Sequence, residues 1–203
     1  MMKALVTGAT RAPGRVIATT LAQGGWEVHA LGRDRVALDD MRSAFGILPL
    51  AMDLTDREYM QFVATSLKPD LIVHGALRWP EQTRFLSLAE ADIDMTLEVN
   101  LSAMLHVTRT VLPLMIARGH GAFIMLSPND NQAKSVIERT AAAAIETFSR
   151  ALADETRGTG VSVYHLFPGK PPYQHLEAKV LSLLSASGFQ SHIFERQDYG
   201  HET

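Results

Sequence analysis

Short apolar runs alternate with amphipathic helical patterns along almost the whole chain, and this alternation constrains the fold more than any other feature. The first run, Lys3–Thr7, ends at a glycine, and Gly14–Gln23 then carries apolar residues at helical spacing. The alternation continues without a linker, an internal repeat or a low-complexity tract. Strands that alternate with helices in this way predict a single α/β domain with a mostly parallel sheet covered on both faces.

About seven strands and six helices are predicted over residues 1–203, in a doubly wound, Rossmann-type arrangement. The expected strands are 3–7, 26–31, 47–52, 70–74, 122–126, 161–167 and 192–195. The expected helices are 14–23, 35–45, 56–67, 91–118, 136–156 and 176–187.

The composition excludes several classes of protein. Hydrophobic residues make up 46% and charged residues 20% of the chain, as in an ordinary soluble globular protein. The net charge of −3 argues against a nucleic-acid partner, and no apolar run suits a membrane span or a signal peptide. The chain has no cysteine, so disulfides and thiolate metal sites are excluded and a cytoplasmic location is expected. Its eight histidines lack metal-ligand spacing, so no metal site is expected.

The turn after the first strand is the candidate ligand site. In a sheet of this kind, that turn brings backbone N–H groups and a helix N-terminus to a dinucleotide pyrophosphate, and glycine permits close approach. Two glycines alone are equally compatible with a tight connection that binds nothing. The turn reads Thr7-Gly8-Ala9-Thr10-Arg11-Ala12-Pro13-Gly14.

This turn resembles the TGxxxGxG turn of the short-chain dehydrogenase/reductase family. Thr7, Gly8 and Gly14 match, whereas Ala12 replaces the middle glycine and fits only at a negative φ. The run GRVIATTLAQGGWEVHALGR is similar to the family's first helix and second strand, and the resemblance extends through nearly the whole chain. It implies a nicotinamide dinucleotide cofactor contacted by Thr7, Gly8, Thr10, Arg11 and Gly14.

The resemblance also implies NADP(H) rather than NAD(H). Arg33 ends the second strand, where NADP-preferring members place a basic residue, and Arg11 resembles the second basic residue of that pattern. A guanidinium pairs bidentately with a ribose 2′-phosphate. The alternative for each arginine is a solvated surface side chain.

Further cofactor contacts are implied where the later strands end. Asp53 stands where the family contacts adenine, and it equally suits a helix N-cap. His74 takes the first position of the family's NNAG and is expected to be a hydrogen-bonded core histidine. The residues implied to contact the cofactor here are Asp53, Leu54, Gly75, Ala76, Pro168 and Gly169.

The family's catalytic residues are matched only in part. Members use an Asn on the long helix, a Ser after the fifth strand, and the Tyr and Lys of YxxxK, whose ammonium lowers the tyrosine pKa. Asn100 and Ser127 match, although Pro128 replaces the second serine of the family's pair. The alignment puts Glu138 at the Tyr and Ala142 at the Lys, and no YxxxK occurs anywhere in the chain. Ordinary carbonyl or alcohol oxidoreduction is therefore not expected.

Glu138 is the remaining candidate acid or base, provided that its pocket raises its pKa. The alternative, which base frequencies favour, is an exposed helix glutamate. The substrate lid is expected to be short, because only 21 residues, 170–190, separate Gly169 from the last predicted strand.

Three hypotheses stay open. The chain is a diverged NADP(H)-dependent oxidoreductase that uses Asn100, Ser127 and Glu138, a catalytically silent NADP(H)-binding sensor or partner subunit, or a non-redox lyase, isomerase or cyclase. A small-molecule substrate is expected without a named class. The resemblance implies a homodimer or homotetramer formed by helices 91–118 and 136–156, where residues 141–144 offer a small-residue face. The alternative is an alanine face buried within the chain itself.

Overall fold

The computed structural model describes residues 1–128 and 133–185, and within them six strands form one sheet. The strands are β1 (Lys3–Thr7), β2 (Glu27–Gly32), β3 (Leu48–Ala51), β4 (Leu71–His74), β5 (Gly121–Leu126) and β6 (Val161–Leu166). They are all parallel and lie in the order β3-β2-β1-β4-β5-β6. This is the order of a doubly wound nucleotide-binding sheet, so the predicted α/β fold is confirmed.

Seven α-helices connect and cover these strands in the described part of the chain. They are α1 (Gly14–Gln23), α2 (Arg35–Phe45), α3 (Arg57–Leu67), α4 (Glu90–Leu97), α5 (Ala103–Arg118), α6 (Val136–Glu155) and α7 (Gln174–Ser185). The predicted helix and strand ends differ from these by at most two residues. The predicted strand 192–195 lies outside the described residues.

The sheet separates two hydrophobic cores, because successive side chains of a strand point to opposite faces. In β1, Val6 faces the core formed with α1, α2 and α7, whereas Leu5 faces the core formed with α3, α5 and α6. All six residues of β5 and of β6 are buried. Strands buried on both faces read as continuous apolar runs, which is why the sequence predicts them so closely.

The predicted helix 91–118 is continuous but not uniform. A five-residue π-helical turn, Glu98–Ser102, separates α4 from α5 and contains Asn100. This continuous helix is long and apolar enough to cross a membrane by length and composition alone. In the fold it is a core helix, since Val111 and Met115 are fully buried against the sheet and α3.

The carboxyl ends of β1 and β4 mark the point where the strand order reverses. From β1 the chain crosses to β2 and β3 on one side, and it then returns to β4 on the other side. Thr7 and His74, the last residues of β1 and β4, are register partners. Ligands of doubly wound sheets bind in the crevice at such a point.

Helix α7 occupies part of the segment 170–190 in which a short substrate lid is predicted. Its residues Leu176 and Val180 are buried in the core that α1 contributes to, and α7 packs directly against α1. Residues 174–185 are therefore a flanking helix of the sheet. The remainder of the predicted lid beyond residue 185 lies outside the described residues.

Candidate cofactor cleft and catalytic positions

Thr7 joins the turn after β1 to the end of β4. Its Oγ1 accepts the backbone N–H groups of Gly75 (3.2 Å) and Ala76 (3.3 Å) and donates to the carbonyl of Val73 (3.3 Å). The side chain is fully buried. Thr7 therefore fixes Gly75 and Ala76 beside the first turn, with its own side chain buried behind the cleft.

The glycines of this region are required by close backbone packing. Gly8 has φ +67°, and a Cβ there would lie 2.5 Å from the Cα of Ala76 and from the carbonyl oxygen of Gly75. A Cβ on Gly14 would lie 2.5 Å from the carbonyl oxygen of Gly8. Among the described residues other than glycine, only Lys68 and Tyr173 have a positive φ. Ala12 therefore has a negative φ, as predicted.

The N-terminus of α1 lacks a side-chain cap. Its N-cap residue is Pro13, which makes no side-chain capping hydrogen bond. In contrast, α2, α3 and α6 are capped by Asp34, Asp56 and Ser135. The Arg15 N–H of this first turn donates to the Arg11 carbonyl at 2.9 Å. A helix N-terminus without a side-chain cap at the switch point of a parallel sheet carries a partial positive charge, which suits a pyrophosphate.

Arg11 and Arg33 are carried by backbone segments that touch. The N–H of Ala9 donates to the carbonyl of Leu31 at 3.1 Å. A Cβ on Gly32, which immediately precedes Arg33, would lie only 2.5 Å from the Thr10 side chain. Both arginines are exposed at this edge of the sheet.

Oδ2 of Asp53 lies 3.9 Å from Nη1 of Arg33. The Asp53 side chain is 49% exposed and the Arg33 side chain 70% exposed. Such an exposed pair contributes little stability, so Arg33 remains available to a ligand. Asp53 accepts the N–H (2.9 Å) and the hydroxyl (2.8 Å) of Thr55, and the backbone hydrogen bond is the main cause that lowers its pKa. The N-cap of α3 is Asp56, which accepts the N–H of Tyr59, so the alternative interpretation of Asp53 as that cap is wrong.

The other implied cofactor residues lie along the same edge. Leu54 has its side chain in the core, at 8% exposure. Pro168 and Gly169 follow β6 after Phe167 and are half-buried, and Gly169 has φ +76°. The strand ends therefore bring the implied cofactor residues to one edge of the sheet.

Ser127 lies directly after β5 and is hydrogen-bonded to a histidine that sequence reasoning missed. Its Oγ is 2.8 Å from Nε2 of His165, and both residues are buried. Burial, reinforced by the charge of Arg150, lowers the pKa of His165 to about 4. The imidazole is therefore neutral at physiological pH. It forms a hydrogen bond with the serine hydroxyl but carries no positive charge beside it.

His165 gives a weak signal in the sequence. It is the one histidine in the buried run Val161–Leu166, and parallel pairing sets Met125 of β5 beside it. The contact with Ser127 depends on the pairing of β5 with β6, which the sequence does not specify. An ionisable residue in a buried strand is a hint, and a weak one, because Ser162 and Tyr164 of the same strand are also polar.

The side-chain amide of Asn100 forms two hydrogen bonds with the backbone of Arg78. Its Oδ1 accepts the Arg78 N–H at 2.7 Å, and its Nδ2 donates to the Arg78 carbonyl at 2.9 Å. The side chain is buried, at 2% exposure. Asn100 thus holds the segment after β4 in place, which makes it a positioning residue in this structure.

Glu138 is buried, so the favoured interpretation as an exposed helix glutamate is wrong. Its Oε2 accepts the backbone N–H of Lys134 at 2.7 Å, while its own N–H donates to the Oγ of the N-cap residue Ser135 at 3.3 Å. This arrangement differs from a capping box in one respect, since the carboxylate accepts the N–H of the residue before the N-cap and not that of the N-cap itself. Ala142, one turn later, is also buried and supplies no ammonium group.

The three predicted catalytic residues make separate contacts. Among residues 1–128 and 133–185, no hydrogen bond joins Asn100, Ser127 and Glu138 to one another, although the π turn holding Asn100 packs against α6. His74 is hydrogen-bonded to Thr108 at 3.0 Å, and burial lowers its pKa to about 3. The prediction of a core histidine is confirmed at this position.

Comparison with known proteins agrees with the sheet order and with the glycine turn at the switch point. A family model described as short chain dehydrogenase matches residues 2–172. The chain belongs to the short-chain dehydrogenase/reductase family. This is a family of nicotinamide-dinucleotide oxidoreductases, so the resemblance on which the sequence predictions rest is confirmed.

Curated relatives of this family member cover most of the chain but less of their own length. It is 36% identical over 173 residues to an uncharacterized short-chain type dehydrogenase/reductase, y4eK, of Sinorhizobium fredii, covering 82% of the chain and 68% of the relative. It is 35% identical over 133 residues to a D-erythrulose reductase of Gallus gallus, covering 64% of the chain and 54% of that relative. The family member described here thus spans about half the length of that reductase.

Solved structures share the fold over nearly the whole chain. One is a metagenomic short-chain oxidoreductase in complex with NADP, with a TM-score of 0.83 and 26% identity, covering 96% of this chain and 94% of that one. In the described ranges, no group of three or more His, Cys, Asp or Glu side chains could hold a metal ion.

Proposed function

We propose that this family member binds NADP(H) at the carboxyl edge of the sheet and lacks the family's ordinary carbonyl–alcohol oxidoreduction. The cofactor, when bound, supplies a hydride. The observation that supports the second part is the Glu138 carboxylate, which the sequence alignment assigns to the tyrosine position and which accepts the Lys134 N–H at 2.7 Å. With Ala142 one turn away, the site holds neither the proton donor nor the ammonium group.

Four features of the chain support the cofactor. The α1 N-terminus is uncapped and suits the pyrophosphate. The glycine turn lies against Gly75 and Ala76 at the switch point. Arg11 and Arg33 lie on touching segments and suit the 2′-phosphate, while the carboxylate of Asp53 suits the adenine amino group.

Calorimetric titration tests the binding proposal. We expect NADP⁺ and NADPH to bind at least about tenfold more tightly than NAD⁺, because a phosphate held by guanidinium groups adds charge-assisted hydrogen bonds. The double variant Arg11→Gln, Arg33→Gln should remove this preference while leaving NAD⁺ affinity nearly unchanged. The exposed Arg42 on α2, replaced by Gln, is the matched control. Absence of heat with every one of these dinucleotides contradicts the proposal.

Steady-state assays test the catalytic part. NADPH consumption across a panel of ketones and aldehydes should stay at background in the natural chain. The variant Glu138→Tyr, Ala142→Lys restores the missing pair and should raise the rate by about a hundredfold or more over that background, the contribution expected of a positioned acid or base. Turnover by the natural chain at typical enzymatic rates overturns this part while leaving the binding part intact.

A second candidate is a diverged oxidoreductase with a different proton path. The observation in its favour is the 2.8 Å contact between Ser127 and the neutral imidazole of His165. A turnover that Ser127→Ala and His165→Gln both abolish, and that Glu138→Gln leaves unchanged, would support this route over a catalytically silent protein.

We also propose a cytoplasmic homodimer or homotetramer formed through α4, α5 and α6. Ala141 and Ala142 are buried within the chain, whereas Ala143 is exposed and Ala144 half-buried, so only part of the alanine face is free for a partner. Light scattering coupled to size-exclusion chromatography measures the oligomeric state. A monomer at micromolar concentration contradicts the proposal.

A further inference from the structure

A cleft of about 510 Å³ lies between the chain segment before α4 and the first turn of α6. The first wall is Thr83–Leu86, which includes part of the one-turn 3₁₀ helix Phe85–Ser87. The second wall is formed by Lys134, Ser135, Val136 and Arg139. Its volume falls in the range of small-molecule sites. None of the residues assigned to NADP(H) lines it.

Among the described residues, the side chains that line the cleft include three cations and no acidic group. Arg84, Lys134 and Arg139 contribute to its walls. None of them forms an ion pair with another described residue, in contrast to Arg57, which pairs with Glu98. The positive end of the α6 dipole adds to this potential at Ser135. An anion would therefore be attracted to the cleft.

The first turn of α6 also carries a carboxylate, that of Glu138, which does not line the cleft. Glu138 is buried at 7% exposure, and its Oε2 accepts the Lys134 N–H. The side chains of Arg84, Lys134 and Arg139 are all exposed. These three cations outnumber the one carboxylate, so the lining keeps its attraction for an anion.

The same cleft exposes large apolar side chains. Phe85 is 50%, Leu86 98% and Val136 55% exposed, and all three line the cleft. Apolar groups of this size beside unpaired cations form an amphipathic surface, which buries apolar area and pairs charge only when a ligand offers both. A purely polar anion would leave the apolar walls in water, and a neutral apolar molecule would leave the cations unpaired.

We propose that this basic cleft (Arg84, Phe85, Leu86, Lys134, Val136 and Arg139) binds an organic anion that consists of an apolar chain ending in a carboxylate or a phosphate. The anionic end lies among the guanidinium and ammonium groups, and the apolar chain lies against Phe85, Leu86 and Val136. The ligand is then held at the first turn of α6, which also carries Glu138. The inference does not rest on the proposed cofactor, because the two sites share no residue.

Binding of simple probes to the full chain tests the proposal. Saturation-transfer NMR and calorimetry would compare octanoate and octyl phosphate with octanol and inorganic phosphate, which each lack one half of the ligand. We expect octanoate or octyl phosphate to bind at least about tenfold more tightly than octanol or inorganic phosphate. The two anionic probes distinguish a carboxylate site from a phosphate site. Affinity should fall with added salt.

Variants locate the binding. The double variant Arg84→Gln, Arg139→Gln should weaken the anionic probe by about tenfold, and Phe85→Ser should weaken it by severalfold. The control Arg42→Gln, Arg109→Gln removes two exposed charges outside the cleft and should leave the affinity unchanged. Circular dichroism melting checks that each variant is folded.

Three results would overturn the proposal. The first is no binding of octanoate or octyl phosphate at millimolar concentration, and the second is equal affinity for octanol. The third is loss of probe binding at saturating NADP⁺, which would place the anion in the cofactor cleft. Because the probes are titrated without NADP(H) as well, failure of cofactor binding and failure of this site are separate outcomes.

Discussion

The hydroxyl of Ser127 lies 2.8 Å from Nε2 of His165, and both side chains are buried where β5 and β6 end. The serine that follows β5 is thus held by a neighbouring strand, and its rotamer is defined before any substrate arrives. The two residues form a coupled pair whose energy can be measured.

The contact between Ser127 and His165 should make the effects of removing the two side chains non-additive. Ser127→Ala leaves Nε2 of His165 buried without the serine hydroxyl, and we expect it to lower the free energy of unfolding by about 1–3 kcal/mol. The double variant Ser127→Ala, His165→Leu should cost less than the sum of the single variants, since no polar atom is then left behind. Urea denaturation of the four proteins in the cycle measures the coupling. Strict additivity would mean that the contact contributes nothing.

The two buried histidines make the fold sensitive to mild acid. Burial lowers the pKa of His74 to about 3 and that of His165 to about 4, from an ordinary value of 6.5. Below pH 6.5 the unfolded chain therefore binds protons that the folded chain does not, so stability is full above that pH and falls as the pH decreases. At pH 5 we expect a loss of about 2 kcal/mol for each histidine.

Denaturant midpoints measured from pH 7.5 to pH 5 test this dependence. The variant His165→Gln should retain only the share of the slope due to His74. A free energy of unfolding that is constant over this interval would contradict the burial-based pKa values.

Glu138 should behave as a structural cap. Glu138→Gln keeps an oxygen that can accept the Lys134 N–H, so we expect a change in stability of less than about 0.5 kcal/mol. Glu138→Ala removes the acceptor and should cost about 0.5–2 kcal/mol, similar to Ser135→Ala at the N-cap itself. Thermal melting of the three variants checks this order. A Gln variant as unstable as the Ala variant would show that the charge, not the hydrogen bond, matters.

Close packing at Gly14 should make it intolerant of even a methyl group. In Gly14→Ala the new Cβ would lie 2.5 Å from the Gly8 carbonyl oxygen, so the turn must shift, and we expect a loss of about 3 kcal/mol or more. The control is Gly46→Ala at the end of α2, where φ is +68° but no atom lies within 4 Å of the new Cβ. That change should cost only about 1 kcal/mol, the strain of the left-handed backbone. Equal losses in the two variants would refute the steric explanation.

Elements of the fold were predictable because each is specified locally. The apolar runs at β1, β5 and β6 and the periodicity of α1 depend on neighbouring residues only. The π turn around Asn100 was not predictable from the sequence. One short π-helical turn leaves the spacing of apolar residues in the long helix almost unchanged. Asp56 rather than Asp53 caps α3 because the cap depends on the backbone angle of one residue, which spacing alone does not define.

The site was predictable where it depends on backbone geometry and not where it depends on contacts between strands. Gly8 and Gly14 are visible in the sequence because only glycine fits those positions. His165 and the burial of Glu138 arise from pairing and packing across the fold, which a single sequence does not encode in its spacing. Substitution at the Tyr and Lys positions was visible only because the family pattern supplied a reference.

Gly8 and Gly14 are required by the packing of the main chain, whether or not a dinucleotide binds. Each presses on another stretch of main chain, so a descendant that gave up the dinucleotide would still keep both in order to fold. Selection for folding alone preserves the signature of a nucleotide site. In proteins of this architecture, exposed groups such as Arg11 and Arg33 are therefore better markers of a ligand than the glycines, because they do not pack against main chain.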